Sequence, residues 1–285
     1  MRPRSFLFVP GDRPERFDKA AASGADAMIL DLEDSVLPAQ KPRARTHVAA
    51  WLGRRPPLPC FVRVNPLSSA DIADDLAAVL PGCPNGLVLP KAEGAASIAA
   101  LIARCGPGPA PPILPIATET ATAVFELGTY RSVAEHLAGL TWGAEDLPAA
   151  TGATSSREPN GAFTPPYEMI RALALFAAHA ADVAAIETVF PGIYDMGALA
   201  AYVARARRDG FTGMMAIHPN QVATINAGFS PTANEIAFAR EVVDAFATNP
   251  TAGALSLAGR MVDRPHLVQA KRILANLPPT PAPSS

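Results

Sequence analysis

The sequence contains only three cysteines among its 285 residues, and no two of them form a C-x-x-C pair. This scarcity argues against a disulfide framework, and a reduced cytoplasmic protein is the simplest interpretation. The formal net charge is only −2, and no long run carries charge of a single sign. We therefore expect neither a nucleic acid nor a membrane surface as a partner.

Long apolar runs are missing as well. No segment is long enough to span a bilayer, and the first apolar run is broken by Pro-Gly-Asp at residues 10–12 before a signal peptide could form. What is present is 49% hydrophobic residues against 18% charged ones, which is enough for a substantial core. A chain of this length makes one large domain or two small ones.

Short apolar runs instead alternate with helical patterns along the chain. Near-continuous apolar strands that alternate with helices predict a parallel sheet covered on both faces. Eight such units can close into a (β/α)8 TIM barrel of about 250 residues, which we predict for residues 1–230. A doubly wound open sheet is the alternative, but the glycine fingerprint of a dinucleotide fold is missing after the first strand. The eight predicted strands are residues 4–10, 27–34, 60–65, 86–91, 113–118, 139–143, 183–190 and 213–218.

Residues 231–277 lie beyond the eighth unit. Their pattern predicts a helix over 233–246, a short strand over 255–262 and a final helix over 265–277. The segment is too small for an independent domain, so we expect a helical extension of the barrel. The last residues, 278–285 (PPTPAPSS), are predicted to be disordered.

Two acids follow consecutive predicted strands and are candidate metal ligands. Glu119 comes after the fifth strand and Asp146 after the sixth. Neighbouring strands lie about 4.8 Å apart, so the two carboxylates can share one cation. Mg²⁺ typically takes one or two protein carboxylates and completes its shell with water and substrate oxygens. Glu145 is the alternative to Asp146, and helix capping is the alternative role, although Thr118 or Thr120 would cap better than glutamate.

Other charged groups follow neighbouring strands, at the end where a barrel of this kind carries its active site. Arg63 lies among apolar neighbours in CFVRVN, so it needs a carboxylate partner or an anionic ligand. Glu33 and Asp34 are candidate supporting partners for Arg63, which can also bind substrate. Lys91 ends the fourth strand and either pairs with these acids or forms a Schiff base as in some aldolases.

Three basic residues lie near the start of the chain. Arg13, Arg16 and Lys19 recur at helical spacing in PGDRPERFDKAAASG. They form either an ordinary solvated helix face or a clamp for the phosphate groups of a large ligand.

Several segments together resemble one family. RSFLFVPGDRPERFDKA, LDLEDSV followed by Lys41 and Arg45, FVRVN, LPK, TET, LTWGAEDL and AIHPNQV are similar to the citrate lyase β-subunit-like proteins of the HpcH/HpaI aldolase superfamily. Malyl-CoA and citramalyl-CoA lyases belong to the same group. The resemblance runs in register from about Arg4 to Leu274, and the combination is specific although single motifs are not.

This resemblance implies a TIM barrel that uses Mg²⁺ to cleave a carbon–carbon bond reversibly in a 3-hydroxyacyl thioester. Glu119 and Asp146 match the metal ligands, and Arg63 matches the arginine that binds the keto acid. Glu119 and Glu145 would join Arg63 among the substrate-binding residues. Residues around Arg16, including Arg13 and Lys19, would lie near the coenzyme A nucleotide.

The resemblance also assigns a role to the C-terminal segment. GRMVDRPH looks like the lid motif that places an aspartate in the active site of a neighbouring subunit, so Asp263 would be catalytic. A lid of this kind requires a homo-oligomer, a trimer or a dimer of trimers. The local pattern favours a different role, because an aspartate just before Arg264 and Pro265 is a common helix N-cap.

The expected reaction is cleavage of malyl-CoA or citramalyl-CoA into acetyl-CoA, or propionyl-CoA, and a 2-keto acid. A β subunit of citrate lyase acting on a carrier-protein thioester is one alternative, and the retained lid motif favours free coenzyme A over it. A pyruvate-type class II aldolase acting on free aldehydes is another alternative. A binding protein without activity is the third, and the intact set of acids argues against it.

Overall fold

The computed structural model describes residues 3–257, 259–275 and 277. Contacts within the chain divide it into two compact units, one of residues 3–229 and one that begins at residue 230. The predicted disordered segment, 278–285, lies outside the described residues. None of the helices in the described part of the chain combines the length and hydropathy needed to cross a bilayer.

Eight parallel strands form the sheet of the first unit. Each pairs with the next along the chain except the fifth with the sixth, and the first pairs with the eighth. Between the fifth and sixth strands, the Ala117 N–H donates to the Thr141 carbonyl at 2.9 Å, which closes the circle. The predicted (β/α)8 barrel is therefore confirmed. The strands are β1 (Ser5–Pro10), β2 (Ala27–Asp31), β3 (Cys60–Arg63), β4 (Gly86–Leu89), β5 (Ile113–Pro115), β6 (Leu140–Thr141), β7 (Ala185–Glu187) and β8 (Gly213–Ala216).

The strands are mostly apolar because both faces of the sheet are covered, and the charged residues Asp31, Arg63 and Glu187 lie at their C-terminal ends. Every residue of β2, β4 and β8 is buried. Side chains that alternate along a strand point to opposite faces, so Ile29 and Val88 belong to one apolar cluster and Met28 and Leu87 to another. The smaller cluster fills the barrel, and the larger one lies between the sheet and the helices.

Helices connect the strands on the outside of the barrel. Short 3₁₀ segments at Pro14–Arg16, Pro38–Gln40, Leu80–Gly82 and Leu127–His136 accompany them. The helices of this unit are α1 (Phe17–Ala21), α2 (Lys41–Gly53), α3 (Ile72–Val79), α4 (Gly94–Arg104), α5 (Ala121–Glu126), α6 (Leu147–Thr151), α7 (Pro165–Ala180), α8 (Met196–Asp209) and α9 (Pro219–Phe229).

One helical segment differs from its sequence pattern, which favours a single helix over 121–136. The α-helix ends at Glu126, and residues 127–136 form 3₁₀ turns that are interrupted by a kink at Val133. Gly128 lowers helix propensity there, and the Thr129 hydroxyl donates to the Glu126 carbonyl at 2.7 Å. The same hydroxyl accepts the Ala95 N–H of α4 at 2.9 Å, so a tertiary contact decides the local geometry.

The second unit contains two helices and a hairpin. Helix α10 (Ala233–Thr248) begins with a capping box between Thr232 and Glu235 and precedes the antiparallel strands β9 (Ala254–Leu257) and β10 (Arg260–Asp263). Helix α11 (Arg264–Ala275) follows directly. The prediction of one strand over 255–262 is thus wrong, because the chain reverses near Gly259, whose φ of +77° suits glycine. Val262, Phe246 and Ala270 contribute to a small core of this unit.

A partly buried ion pair joins the N-terminal ends of two strands, away from the strand ends predicted to carry the site. Arg4 donates to Asp26 through Nε at 2.8 Å, Nη2 at 2.9 Å and its backbone N–H at 2.8 Å. Burial opposes ionisation of Asp26, but the Arg4 hydrogen bonds outweigh it and hold the pKa of this carboxyl below its usual value. The pair therefore stabilises the fold above the unfolded-state pKa and loses this effect as pH falls through the folded-state pKa.

We expect Asp26→Asn to lower the free energy of unfolding by about 1–3 kcal/mol at pH 7, because Arg4 loses its charged partner. The difference from the wild type should shrink below pH 3.8, the ordinary pKa of the group, since the wild-type carboxyl then becomes protonated in the unfolded chain and, at lower pH, in the folded protein too. Urea unfolding at pH 7 and pH 3 measures this. Asp18→Asn is the control, because Asp18 pairs with Arg54 on the exposed surface; equal losses in both variants would contradict the expectation.

Candidate active site

A cavity of about 730 Å³ opens at the C-terminal ends of the strands. It brings together groups that are far apart in the sequence, as a barrel of this kind does with its strand ends. Most of the charged residues predicted for the site border it. Its charged lining comprises Arg16, Lys19, Asp31, Arg63, Glu119, Glu145 and Asp146.

Arg63 is held by a carboxylate on the neighbouring strand. Its Nε and Nη2 each donate to one oxygen of Asp31 at 2.7 Å, and its Nη1 lies 3.0 Å from Glu33. We predicted Glu33 or Asp34 as partners, and the structure adds Asp31 as the bidentate one. The signal was present in the sequence, because Asp31 ends β2 opposite Arg63 at the end of β3 in the parallel register. Asp34 lies on the exposed surface.

The ionisation of Asp31 and Glu33 depends on their burial and on the cations beside them. Burial opposes ionisation of Asp31, but the hydrogen bonds from Arg63 outweigh it and keep the pKa of Asp31 below its usual value. Burial raises the pKa of Glu33, and Arg63 and Lys91 offset only part of the rise. Asp31 thus favours its ionised form and orients the guanidinium of Arg63, two of whose five N–H donors bond to Asp31.

Lys91 connects the acids of the rim. Its Nζ donates to Glu33 at 2.7 Å and lies 4.0 Å from Asp146, and its backbone N–H donates to Glu119 at 2.6 Å. Burial disfavours the charged amine, but Glu33 outweighs this effect and raises the pKa of Lys91. A Schiff-base lysine needs a lowered pKa, so the geometry favours the ion-pairing role. The φ of +52° at Lys91 is rare for a residue with a side chain.

Glu119 and Asp146 lie at the ends of the fifth and sixth strand units. Glu119 is buried, with 4% of its surface exposed. Burial raises its pKa to about 8, and the charges of Asp146 and Glu33 add to the rise. A Cβ at Gly143 would lie 2.7 Å from Cγ of Glu119, so glycine is required there for the glutamate to take this position.

Helix capping does not account for these acids. Thr120 caps α5 by accepting the Ala123 N–H at 3.1 Å. Asp146 precedes α6, yet its side chain makes no capping hydrogen bond within the described part of the chain. Both carboxylates therefore remain available at the cavity.

The donor set fits a hard divalent cation. A buried carboxylate with a raised pKa beside a second carboxylate is stabilised in its ionised form when a cation binds both. Within residues 3–257, 259–275 and 277, no three His, Cys, Asp or Glu side chains cluster as a metal site. Two carboxylates with water suit Mg²⁺ better than a metal that needs a full protein cage. Glu145 is exposed beside them and borders the same cavity.

Only two of the three basic residues predicted to bind phosphate groups border the cavity. Arg16 and Lys19 border the cavity, and both are exposed. Arg13 lies outside the lining, more than half exposed, with its Nε 3.9 Å from Asp12. Two of the three cations thus lie where they can meet an anionic ligand.

A buried network behind Arg63 was not predicted from the sequence. Arg45 donates to Asp75 at 2.7 Å, and Asp75 accepts the Asn65 backbone N–H at 2.8 Å. The Asn65 side chain donates to the Leu32 carbonyl at 3.0 Å and accepts from Lys41. These residues therefore fix the loops after β2 and β3, and their role in the site is to position other groups.

A second network lies behind the end of β7 and was also missed. Glu187 is wholly buried and accepts from the Trp142 indole N–H and from Arg171, the latter at 2.7 Å. Arg171 also donates to Asp209 at 2.6 Å. The sequence did contain a signal for this network, because Glu187 lies inside the otherwise apolar run VAAIETVF. The network anchors α7 and α8 to the barrel.

Asp263 lies in the second unit, at the junction of β10 and α11. Its Oδ1 accepts the backbone N–H of His266, the third residue of α11, at 3.4 Å. The His266 Nδ1 lies 2.5 Å from the same oxygen, and this hydrogen bond holds the pKa of Asp263 below its usual value. The local geometry is that of the predicted helix cap, and the catalytic role stays a prediction.

The chain resembles known proteins over most of its length. A model of the HpcH/HpaI aldolase/citrate lyase family matches residues 4–219. The citrate lyase subunit beta-like protein of Mycobacterium tuberculosis is 37% identical over 272 residues, which cover 94% of this chain and 93% of the relative. The mitochondrial citramalyl-CoA lyase of Mus musculus is 31% identical, with coverage of 95% and 85%.

The fold has a solved counterpart. The crystal structure of protein CitE from Mycobacterium tuberculosis in complex with magnesium, acetoacetate and coenzyme A superposes with a TM-score of 0.80. The two sequences are 36% identical, and the match covers 95% of this chain and 97% of the other.

An eight-stranded barrel with paired carboxylates and a carboxylate-bound arginine at its C-terminal strand ends defines an enzyme of the barrel aldolase type. The chain belongs to the HpcH/HpaI aldolase/citrate lyase family. It is accordingly a lyase.

Proposed function

We propose that this protein is a Mg²⁺-dependent lyase that reversibly cleaves a 3-hydroxyacyl-CoA such as malyl-CoA or citramalyl-CoA. The products would be acetyl-CoA, or propionyl-CoA, and a 2-keto acid. The observation that carries the proposal is the convergence of Glu119, Asp146 and Arg63 on one cavity that Arg16 and Lys19 also border. The relatives that act on coenzyme A thioesters, or bind coenzyme A and magnesium, support the same assignment.

The acidic and basic residues at the cavity have different proposed roles. Glu119 and Asp146 would hold Mg²⁺, which when bound acts as a Lewis acid toward substrate oxygens. Arg63, oriented by Asp31, binds the carboxylate that becomes part of the keto acid. Lys91 keeps Glu33 and Asp146 in place and adds positive charge near the reacting centre.

Cleavage moves two protons. The 3-hydroxyl gives up its proton to water in the cavity as its carbon becomes a ketone, and the electron pair of the broken carbon–carbon bond goes to the α-carbon of the thioester. That carbon takes a proton, for which Asp263 of a neighbouring subunit is the proposed donor. In the condensation direction Asp263 removes this proton in its carboxylate form, which its lowered pKa favours. In the cleavage direction the carboxylate therefore first takes up a proton, equivalent to the one that the 3-hydroxyl releases.

A panel of acyl-CoA thioesters tests the proposal. The purified protein is incubated with Mg²⁺ and malyl-CoA, citramalyl-CoA or β-methylmalyl-CoA, and products are identified by mass spectrometry. We expect acetyl-CoA or propionyl-CoA together with glyoxylate or pyruvate, and no product in excess chelator. Cleavage of free 4-hydroxy-2-keto acids, with every thioester left intact, would point instead to the pyruvate-type aldolase.

A thioester on a carrier protein is the second candidate substrate. It is what the resemblance to a citrate lyase β subunit implies, and relatives of this chain carry the name citrate lyase subunit beta. The same acyl group offered on coenzyme A and on a carrier protein separates the two, since the preferred carrier gives the higher kcat/KM.

Arg63→Lys is expected to lower kcat/KM about a hundredfold while the fold is retained. Lysine keeps the charge but loses the planar fork that binds Asp31 on one side and a substrate carboxylate on the other. Steady-state kinetics and the melting temperature measure the two effects. Arg54→Lys is the control, because Arg54 lies on the exposed surface. A variant at Arg63 with most of the wild-type kcat/KM would assign the arginine a purely structural role.

A further inference from the structure

The barrel closes between β5 and β6, and the two acids proposed to hold the metal lie at this seam. In the described part of the chain, isolated bridges join these two strands in place of a continuous ladder. The Ala117 N–H donates to the Thr141 carbonyl at 2.9 Å near the cavity end of the seam. Glu119 and Asp146 follow, one on each side. The relative position of the two acids therefore depends on what joins the chain beyond the strands.

A side-chain hydroxyl joins the two loops at this point. Thr118 Oγ1 accepts the Gly143 N–H at 3.0 Å and donates to the Gly143 carbonyl at 3.2 Å. Thr118 is wholly buried, so these bonds do not compete with bulk water. A threonine hydroxyl is both a donor and an acceptor, and this one uses both functions on a single residue of the opposite loop. One side chain therefore takes the place of a pair of backbone hydrogen bonds across the seam.

Both residues of this pair adjoin the proposed metal ligands. Thr118 directly precedes Glu119, and Gly143 lies three residues before Asp146. A Cβ at Gly143 would lie 2.7 Å from Cγ of Glu119, so the two loops already touch here. The Lys91 N–H donates to Oε2 of Glu119 at 2.6 Å and fixes the side chain. The hydroxyl of Thr118 correspondingly fixes the backbone from which that side chain extends.

We propose that Thr118 is a positioning residue for the metal, and that its two hydrogen bonds to Gly143 set the spacing of the Glu119 and Asp146 carboxylates. The inference rests on the proposed function, because it takes these two acids as the Mg²⁺ ligands. Mg²⁺ demands near-ideal octahedral geometry, so a small shift of one loop against the other lowers its affinity. A buried threonine can also serve only to satisfy backbone polar groups, and the experiment separates the two roles.

Thr118→Val removes the hydroxyl and keeps the approximate size of the side chain. We expect the Kd for Mg²⁺ to rise about 10- to 100-fold, the range typical when a group that orients a metal ligand is lost. Isothermal titration of the purified protein with MgCl₂ measures this without any turnover. The Mg²⁺ concentration that gives half-maximal thioester cleavage should rise in parallel, and saturating Mg²⁺ should restore part of the lost kcat.

Two matched variants separate positioning from stability. Thr118→Ser keeps the hydroxyl and should bind Mg²⁺ with the wild-type Kd. Thr141→Val is the same substitution at a similarly buried position of β6, where the hydroxyl contacts the Met215 sulfur at 3.8 Å, and it should also leave the Kd unchanged. If Thr118→Val does not fold, Thr118→Cys takes its place, since a thiol is only a weak donor and acceptor. An unchanged Kd without the Thr118 hydroxyl, or an equal rise in either matched variant, would overturn the assignment.

The titration keeps this inference separate from the proposed activity. Weaker Mg²⁺ binding by Thr118→Val, in a protein whose wild type binds Mg²⁺ but cleaves no thioester, would refute the proposed function and support the positioning role. Thioester cleavage by the wild type, with the same Kd for Mg²⁺ in Thr118→Val, would support the function and refute the positioning role. A wild type that binds no Mg²⁺ would refute both.

Discussion

Asp146→Ala is expected to lower kcat by about a thousandfold or more and to weaken Mg²⁺ binding. Asp146 supplies one of two carboxylates proposed for the ion, and a Lewis acid contributes several kcal/mol to the stabilisation of the transition state. The fold should survive, because the side chain is 38% exposed and is not used to cap α6. Turnover, isothermal titration with MgCl₂ and the melting temperature measure the three effects.

Glu145→Ala is the matched comparison. This acid is the immediate neighbour, borders the same cavity and is exposed. We expect it to weaken substrate binding while the affinity for Mg²⁺ stays at the wild-type level. If Glu145→Ala lost the metal and Asp146→Ala kept it, the two acids would exchange roles. Full wild-type activity in excess chelator would remove the metal from the mechanism altogether.

Asp263→Asn is expected to melt close to the wild type yet to lose carbon–carbon cleavage by about 10²–10⁴-fold. Asparagine can accept the His266 backbone N–H that Asp263 accepts now, and it is as good a helix cap as aspartate. It cannot transfer a proton. The expected signature is therefore a large loss of kcat without a loss of stability. Near-normal turnover would leave Asp263 with the capping role alone.

Mixing variants tests whether sites are shared between subunits. The proposed lid requires a homo-oligomer, so a mass above that of one chain is expected in solution. Asp263→Asn mixed with Asp146→Ala should recover some activity, because some sites then pair an intact metal centre with an intact lid. Two preparations of Asp263→Asn mixed in the same way are the control. A monomeric mass with full activity would contradict the shared site.

Much of the barrel was readable from local pattern. The eight apolar runs became eight strands in chain order because a sheet buried on both faces accepts only apolar side chains over several consecutive residues. The element boundaries were less accurate where tertiary contacts intervene, as at Thr129, whose hydroxyl bonds to the neighbouring helix. The hairpin of the second unit was missed because apolar residues on both sides of Gly259 resemble one continuous strand.

The positions of the candidate site residues followed from the same pattern. Arg63 ends β3, Glu119 and Asp146 lie in the loops after β5 and β6, and a closed barrel brings strand ends together at one rim. The sequence pattern did not predict which of these side chains contact each other. The bidentate contact between Asp31 and Arg63 depends on the register of two strands, and the position of Glu119 depends on the space left by Gly143.

The sequence by itself determined the class of fold, the strand ends that carry the acids, and the family resemblance. These features depend on the order of residue types along short segments. A buried strand needs a run of apolar residues and a helix needs its own spacing of them, so both patterns can be recognised in the sequence alone. Only the tertiary structure decided which charges neutralise one another, that burial raises the pKa of Glu119 to about 8, and that the Thr118 hydroxyl bonds to Gly143. These properties depend on distances between residues far apart in the chain, and such distances exist only once the barrel has closed.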